Sequence, residues 1–233
     1  MSYKLLGVNT DAKTIKGLKH GFITGVLYMA PHTLAGGRTL CPHSTAGCRA
    51  VCLYSAGRGA FNNVQTARIR KAQWWLNDPL SFKVTLCQDI AKLCVEAKKK
   101  GLKPNVRLNG TTDIRWENEG IFEQFKDVQF MDYTKFPASG RKLPDNYHLT
   151  YSYAGTSKSL FEILRWNAKK INTAVVFRGG LPTHWQRFPV IDGDLHDLRF
   201  LDPKGVIVGL KTKGKARNDS GGGFVQDGPE FSN

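Results

Sequence analysis

The clearest structural signal in the sequence is a run of apolar residues at helical spacing after Pro79. Its members recur at steps of four, four, three and four residues, on one face of an α-helix: Phe82, Leu86, Ile90, Leu93 and Ala97. Lysines at 98–100 complement the negative end of the helix dipole, and Gly101 is suited to end the helix. Cys87 and Cys94 lie at the margin of the apolar face, so we expect them to be small core residues.

Short apolar runs alternate with further helical segments along the rest of the chain. The runs predicted to form strands are 22–30, 105–109, 128–134, 147–153, 173–177, 188–191 and 206–210. Further helices are predicted from Asn62 or Asn63 to about Leu76, over 121–125, and after an N-cap at Ser157. The alternation predicts an α/β fold with a largely parallel sheet of six or seven strands. Because the chain is too short for eight full units, we expect a partial (β/α) barrel in a single domain, residues 1–233.

Three of the five cysteines, Cys41, Cys48 and Cys52, fall in the segment CPHSTAGCRAVC, separated by six and three residues. This cysteine loop follows the first predicted core strand, where a barrel enzyme would carry a cofactor. Three thiolates suit a [4Fe–4S] cluster that leaves one iron open, and they would equally serve zinc with a histidine or water as fourth ligand. Reduced thiols with only a packing role are the third interpretation, which the clustering disfavours. We therefore expect the iron–sulfur cluster.

Polar side chains gather where the predicted strands end. The carboxyl ends of parallel strands share one face, and sites are built there from successive loops, so the cysteine loop would lie on that face as well. The residues expected to supply a fourth cluster ligand or to line the cluster side of the barrel mouth are His43, Asn109, Asp113, Asp132, Lys135, Arg178, Asp192 and Lys211. This pattern assigns no catalytic residue.

The densest acidic segment is IDGDLHDLRFLDP, late in the chain. It contains Asp192, Asp194, Asp197 and Asp202 together with His196. Carboxylates and a histidine this close could bind Mg²⁺ or Mn²⁺ for phosphoryl transfer. The alternative, which we favour, is a set of turns at strand ends with Asp197 or Asp202 paired to an arginine such as Arg199.

The composition shows a large excess of positive charge: the 233 residues carry a net charge of +15 at pH 7. Such a charge attracts phosphate backbones, so we expect DNA or RNA as a partner. The expected contacts lie on the helix after the cysteine loop and in a basic segment, 211–223, that we expect to be flexible: Arg68, Arg70, Lys71, Lys211, Lys213, Lys215 and Arg217. The alternative is a solvated surface whose lysines only keep the protein soluble.

The sequence lacks the patterns of membrane and secreted proteins. It has no apolar run of the roughly 18 residues that a spanning helix needs, and its N-terminus lacks the apolar core of a signal peptide. An odd number of cysteines suits a metal ligand set in a reducing compartment better than a disulfide framework. We therefore expect a cytoplasmic protein that makes no membrane contact.

Several motifs distributed over nearly the whole chain resemble the mycobacteriophage gene product eighty-eight family, which is found in phages and mobile elements. They are CPHSTAGCRAVCLYSAGRG, VRLNGTTDIRWE, VQFMDYTK, NYHLTYS, VIDGD and LRFLDPKGVIVGLKTKGKAR. The resemblance implies that Cys41, Cys48 and Cys52 are the defining cysteines, and that the cytoplasm concerned is that of a host cell. It implies no reaction.

The chain also has a weaker architectural likeness to radical S-adenosylmethionine enzymes. They too place three cysteines after the first strand of a partial barrel and bind a cubane cluster with one open iron, but they set these cysteines closer together. Gly179 and Gly180 follow a late strand, whereas the glycine motif of that superfamily comes early. The likeness implies a similar architecture, with S-adenosylmethionine as a less favoured cofactor.

Two classes of function remain open from the sequence. In the class that we favour, the protein is an iron–sulfur protein with a basic surface that binds nucleic acid, because this needs only the positive charge and a structural cofactor. In the other class the chain is an enzyme, either cluster-dependent with a radical-SAM-like barrel or a metal-dependent nuclease.

Overall fold

A computed structural model describes residues 3–219 and 223–230 of the chain. The helices are α1 (Ala12–Gly17), α2 (Ala46–Ala50), α3 (Asn62–Asn77), α4 (Pro79–Lys99) and α5 (Ser157–Ala168). The strands are β1 (Leu6–Val8), β2 (Phe22–Leu27), β3 (Lys103–Arg107), β4 (Gln129–Thr134), β5 (Tyr147–Ser152), β6 (Thr173–Arg178), β7 (His184–Trp185), β8 (Phe188–Asp192), β9 (Ile207–Lys211) and β10 (Val225–Asp227). Short 3₁₀ helices are Leu18–His20, Leu53–Ser55, Gly57–Ala60, Trp116–Asn118, Phe122–Gln124, Arg199–Leu201 and Gly214–Asn218.

The strands form one sheet in the order β1-β2-β3-β4-β5-β6-β9-β8-β7, and β10 pairs with β6 beside this path. Every neighbouring pair from β2 to β8 along this order is parallel, whereas β1 and β7 pair antiparallel at the two edges. β5 pairs with β6 at Thr173 and Ala174, and β10 pairs with the later residues of β6. Because the central strands run in the same direction, the loops that follow them gather at the carboxyl ends of the strands.

The predicted α/β class and largely parallel sheet are confirmed, and each predicted strand is present within three residues of its expected bounds. The expected count of six or seven strands was too low, since the sheet has ten among the described residues. The additional strands are β1, β7 and β10, which have three, two and three residues and are therefore too short to show a strand periodicity. The sheet is open, so the expected partial barrel is not confirmed.

The sheet is curved enough to bring the loop after β8 against strands near the opposite edge. Asp197 in that loop accepts a hydrogen bond from Arg107 of β3 at 2.9 Å and from Tyr133 of β4 at 3.4 Å. Near the same loop, the Nζ of Lys13 donates to the carbonyl of Gly193 at 3.0 Å. Four strands separate β3 from β8 in the sheet order, so these contacts cross the inside of the curve.

Helix α4 packs as its apolar pattern predicts, whereas Leu164, on the predicted apolar face of α5, is 61% exposed. All five predicted face residues of α4 are 0% exposed. Asp78 caps this helix by accepting a hydrogen bond from the Ser81 N–H at 3.1 Å. The predicted N-cap of α5 is one residue late: Thr156 is the cap, and it exchanges side-chain-to-backbone hydrogen bonds with Ser159 in a capping box. Among the described residues, every helix is too short or too polar to traverse a lipid bilayer.

A buried carboxylate holds the N-terminal strand against α4. One oxygen of Asp89, a residue with 0% exposure, accepts hydrogen bonds from the backbone N–H groups of Lys4, Leu5 and Leu6. Lys71 completes the attachment by donating to the carbonyl of Leu5 at 2.7 Å. The sequence held a signal for this contact, because Asp89 is an acidic residue directly beside the apolar face of α4.

Candidate cysteine-lined site

A pocket of about 1250 Å³ opens at the carboxyl ends of the parallel strands. Its wall is built from the cysteine loop after β2 and from the ends of β3, β4, β5 and β9, together with α3 and the segment after β9. Seven of the residues predicted for the cluster or its surroundings line it: Cys41, Cys48, Cys52, Asn109, Asp113, Lys135 and Lys211. The loops of separate strands therefore converge on one cavity, as the parallel topology requires.

The cysteine loop is held by local caps and by two ties to other strand ends. Thr45 is the N-cap of α2 and accepts a hydrogen bond from the Cys48 N–H at 3.2 Å. The Thr45 hydroxyl donates to the carbonyl of Ala154 after β5, at 3.0 Å. At the start of the loop, the N–H of Asp113 donates to the carbonyl of Leu40 at 2.8 Å. The loop therefore keeps a fixed place over the strand ends.

The three thiols are unpaired and partly exposed to the pocket. Burial raises the pKa of the Cys41 thiol to about 12, and it also raises the pKa of Cys52. The Cys41 sulfur accepts a hydrogen bond from the His32 N–H at 3.4 Å. Since a thiol must lose its proton to bind a metal, loading of this site would release protons.

Three cysteine thiols are suitable ligands for an iron–sulfur cluster, but their sulfur atoms are not arranged around a common centre. All three sulfurs line the same wall and none is in a disulfide. Within residues 3–219 and 223–230, no three His, Cys, Asp or Glu side chains are placed so as to hold a metal ion as they stand. Binding would therefore require the thiols to turn toward a common centre.

Asp113 and Lys135 form a connected pair at the ends of β3 and β4. The carboxylate of Asp113 accepts hydrogen bonds from the Thr134 hydroxyl and the Lys135 N–H, each at 2.8 Å. Burial raises the pKa of this carboxyl despite both hydrogen bonds. The Lys135 side chain extends into the pocket and donates to the Ser152 hydroxyl at 2.5 Å.

Asn109 lines the pocket, but its amide organises the loop after β3. The amide oxygen accepts from the Ile114 N–H, the Thr112 hydroxyl and the Trp116 indole N–H. Asp132 lies behind this loop, 2% exposed, and accepts from the Asn109 N–H at 2.6 Å. Burial raises the pKa of Asp132 to about 7. Asp132 is outside the pocket lining, so its position gives it no direct access to a ligand there.

Three further predicted mouth residues lie off the pocket wall. His43 is exposed and packs its ring on Phe136 with centroids 4.5 Å apart. Arg178 joins β6 to β10 through its ion pair with Asp227. Asp192 accepts a hydrogen bond from the Asp194 N–H at 2.7 Å in the turn after β8.

The residues predicted to contact nucleic acid fall into two different environments. Arg68 is only 9% exposed and its guanidinium lies 4.7 Å from the Tyr28 ring centroid, while Lys71 binds the Leu5 carbonyl. The solvent-exposed members are Arg70, Lys211, Lys213, Lys215 and Arg217. The last three belong to or adjoin the 3₁₀ helix Gly214–Asn218, which contacts the 3₁₀ helix after Cys52. Of the expected flexible segment, 220–222 lie outside the described residues, and its flexibility stays a prediction.

The acidic segment after β8 forms a set of ion pairs. Asp194 binds Lys13 at 2.7 Å and Lys213 at 2.8 Å, which lowers the pKa of Asp194 against the effect of burial. The remaining pairs are Asp192 with Lys211 at 3.9 Å, Asp197 with Arg107 at 2.9 Å and Asp202 with Arg199 at 3.3 Å. The last of these was expected from the sequence as part of the turn interpretation.

Sequence reasoning missed several residues of the pocket wall. Arg107 lines the pocket from β3, and its guanidinium lies 4.8 Å from the ring centroid of Tyr133. The sequence held a signal for it, because Arg107 is the one charged residue in the predicted strand 105–109. Tyr28 donates to Asp11 at 3.1 Å, and both line the pocket together with Lys13. These N-terminal residues gave no signal because their contribution depends on the curvature of the sheet.

The fold and pocket define a class of protein: an open, mostly parallel α/β sheet that presents a cysteine loop in a basic cavity at its carboxyl face. Within that class, the chain belongs to the Gene product 88 family, whose model matches residues 4–226. This match confirms the family resemblance inferred from the motifs. No curated protein and no solved structure matches the chain.

Proposed function

We propose that this protein is a cluster-dependent enzyme in which Cys41, Cys48 and Cys52 hold a [4Fe–4S] cluster inside the pocket. The observation that supports it is the placing of three free thiols on the wall of one cavity at the carboxyl face of a parallel sheet. Three cysteine ligands leave one iron available to another molecule. When bound, such a cluster would supply electron transfer and a coordination site for a substrate or cosubstrate.

The size of the pocket favours an enzyme over a cluster with a purely structural role. Ligand pockets in proteins commonly enclose about 300–1,000 Å³. This cavity of about 1250 Å³ has room for a cofactor and a small molecule side by side. The chain's own contribution is to line that space and to place charged groups such as Lys135 on its wall.

Anaerobic reconstitution with iron and sulfide tests the cofactor. The proposal expects about four iron and four sulfide per chain and broad visible absorption. Stoichiometric zinc without iron in the purified protein would instead identify a zinc site, with a histidine or water as fourth ligand.

A radical mechanism is the most specific form of this proposal, motivated by the cysteine loop after the first core strand. Reduced holo-protein incubated with S-adenosylmethionine would then form 5′-deoxyadenosine. A loaded cluster that yields none under reducing conditions would remove the radical mechanism and leave other cluster-dependent chemistry.

Nucleic-acid binding is a second candidate, and the exposed basic 3₁₀ helix beside the pocket supports it. Lys215 and Arg217 form no ion pair with any described residue, and Arg217 also lines the pocket. Each phosphate contact would contribute about −0.9 to the log–log slope of affinity against salt. The double variant Lys215→Ala with Arg217→Ala should weaken binding of duplex DNA and flatten that slope, and an unchanged slope would count against this surface.

A further inference from the structure

The charges on the pocket wall are unbalanced. Eleven lysines and arginines line it, against four aspartates. All four aspartates are engaged: Asp194 and Asp197 form ion pairs, Asp11 caps α1, and Asp113 binds a hydroxyl and a backbone N–H. Several cations of the wall therefore lack a carboxylate partner among the described residues.

Lys135 is the unpaired cation with the clearest direction into the pocket. Its ammonium donates to Ser152 at 2.5 Å and lies 4.8 Å from the ring centroid of Phe224, and both neighbours also line the cavity. It forms no ion pair with any residue that the structure describes. An ammonium group has three donors, and the Ser152 hydroxyl can still donate its own hydrogen, so the pair can bind further acceptors.

Arg68 supplies a second cation on the wall of the same pocket. Its Nη1 donates to the Tyr54 carbonyl at 2.9 Å, whereas its buried Nε has no hydrogen-bond partner in the described part of the chain. Arg68, Lys135 and Cys52 all line the same cavity, and the carbonyl that Arg68 binds belongs to Tyr54, two residues after Cys52. A buried arginine without an acidic partner is costly unless an anion neutralises it.

We propose that the pocket takes a ligand carrying an oxyanion group, a carboxylate or a phosphate, bound by Lys135 and Ser152 in the cavity that Cys52 and Arg68 also line. Charge-assisted hydrogen bonds of this kind are the strong ones available to a protein. The ligand's role as substrate rests on the proposed function, but the anion site itself needs no cluster.

Apo-protein in inorganic phosphate, and separately in succinate, provides the test, each compared with chloride at equal ionic strength. Binding to the folded state raises the thermal unfolding midpoint, and the dependence of the midpoint on ligand concentration gives the affinity. Lys135→Gln should weaken binding of the preferred anion about tenfold, while Lys135→Arg retains most of it. Lys158→Gln is the control, because Lys158 is an exposed lysine of α5 outside the pocket.

Preference for phosphate or for succinate identifies the group that the ligand carries. Equal loss in Lys135→Gln and Lys158→Gln, or no stabilisation of the wild type by either anion, would overturn the proposal. Iron and sulfide measured after reconstitution of the same variants report separately on the cluster. Anion binding that depends on Lys135 in a protein that takes up no iron would therefore reject the cluster and keep the anion site.

Discussion

The acidic segment and the cysteine loop both lie at the carboxyl ends of the parallel strands, but they differ in how their polar groups are paired. In the acidic segment after β8, all four carboxylates are paired with lysine or arginine. Around the cysteine loop, three thiols are free and Lys135 points into a cavity without an acidic partner in the described chain. Ion-paired carboxylates hold a fold together, whereas free thiols and cations that line a cavity without an acidic partner are available to a ligand.

This contrast favours the cysteine loop over the acidic segment as the chemical site. The acidic segment resembled a divalent-metal site by composition, but its carboxylates are engaged with Lys13, Arg107, Arg199, Lys211 and Lys213. The segment therefore serves to join the loop after β8 to α1, β3 and β9. The thiols of the cysteine loop and the ammonium of Lys135 form no such ion pairs among the described residues, which supports the proposed site in the pocket.

The largest expected effect comes from breaking the acidic segment at Asp197. Its carboxylate is 5% exposed and pairs with Arg107 across the inside of the sheet. Asp197→Ala leaves that guanidinium uncompensated, so the free energy of unfolding should fall by about 3–5 kcal/mol in urea denaturation.

Arg165→Gln is the matched control. It removes an ion pair whose arginine side chain is 64% exposed, and the expected loss is under about 1 kcal/mol. Losses of similar size for the two variants would show that the acidic segment is not a structural clamp.

The next prediction concerns the pH dependence of stability, because two buried aspartates have pKa values shifted in opposite directions. Arg107 holds the pKa of buried Asp197 below its usual range, whereas burial raises the pKa of Asp132 to about 7. A carboxyl with a raised pKa binds its proton more tightly when folded. Asp132 therefore lowers stability as the pH rises from about 4 to about 7, by up to about 1.4 kcal/mol per pH unit.

Asp132→Asn should remove this contribution and keep the shape of the side chain. The urea midpoints of the wild type and the variant, compared at several pH values, isolate Asp132 from His148, whose pKa burial lowers to about 4. A difference between the two proteins that stays constant from pH 4 to 7 would show that Asp132 does not titrate there.

A smaller effect is expected at Gly59, which packs beneath the end of the cysteine loop. An added Cβ would meet the Tyr54 carbonyl and lie 2.7 Å from Nη1 of Arg68. Gly59→Ala should therefore lower the free energy of unfolding in urea by about 1–3 kcal/mol, and the displaced loop should take up less iron on reconstitution. Gly17→Ala, where the nearest atom is 3.6 Å away, is the control. Equal stability of the two variants would show that the loop tolerates the displacement.

The sequence was most informative where a pattern extends over many residues. The apolar face of α4 and the seven longer strands were predicted because each has a periodicity or a run that burial requires. The parallel direction then placed Asn109, Asp113, Lys135 and the cysteines at one cavity. This followed from topology alone.

The remainder depended on distances that no local pattern records. Asp197 and Arg107 are 90 residues apart in sequence, and their pairing depends on how strongly the sheet curves. Arg68 and Lys71 looked like surface cations on a helix, but they face inward, one against Tyr28 and one against Leu5. Such positions are settled by tertiary packing.

The central claim is tested most directly by the iron content of single cysteine variants after anaerobic reconstitution. Serine in place of Cys41, Cys48 or Cys52 should each lower iron to well under half of the wild-type amount and abolish the visible absorption. Cys87→Ser, a partly exposed thiol on α4 outside the pocket, should leave both unchanged. Full iron content in all three loop variants, or equal loss in Cys87→Ser, would contradict a cluster held by the cysteine loop.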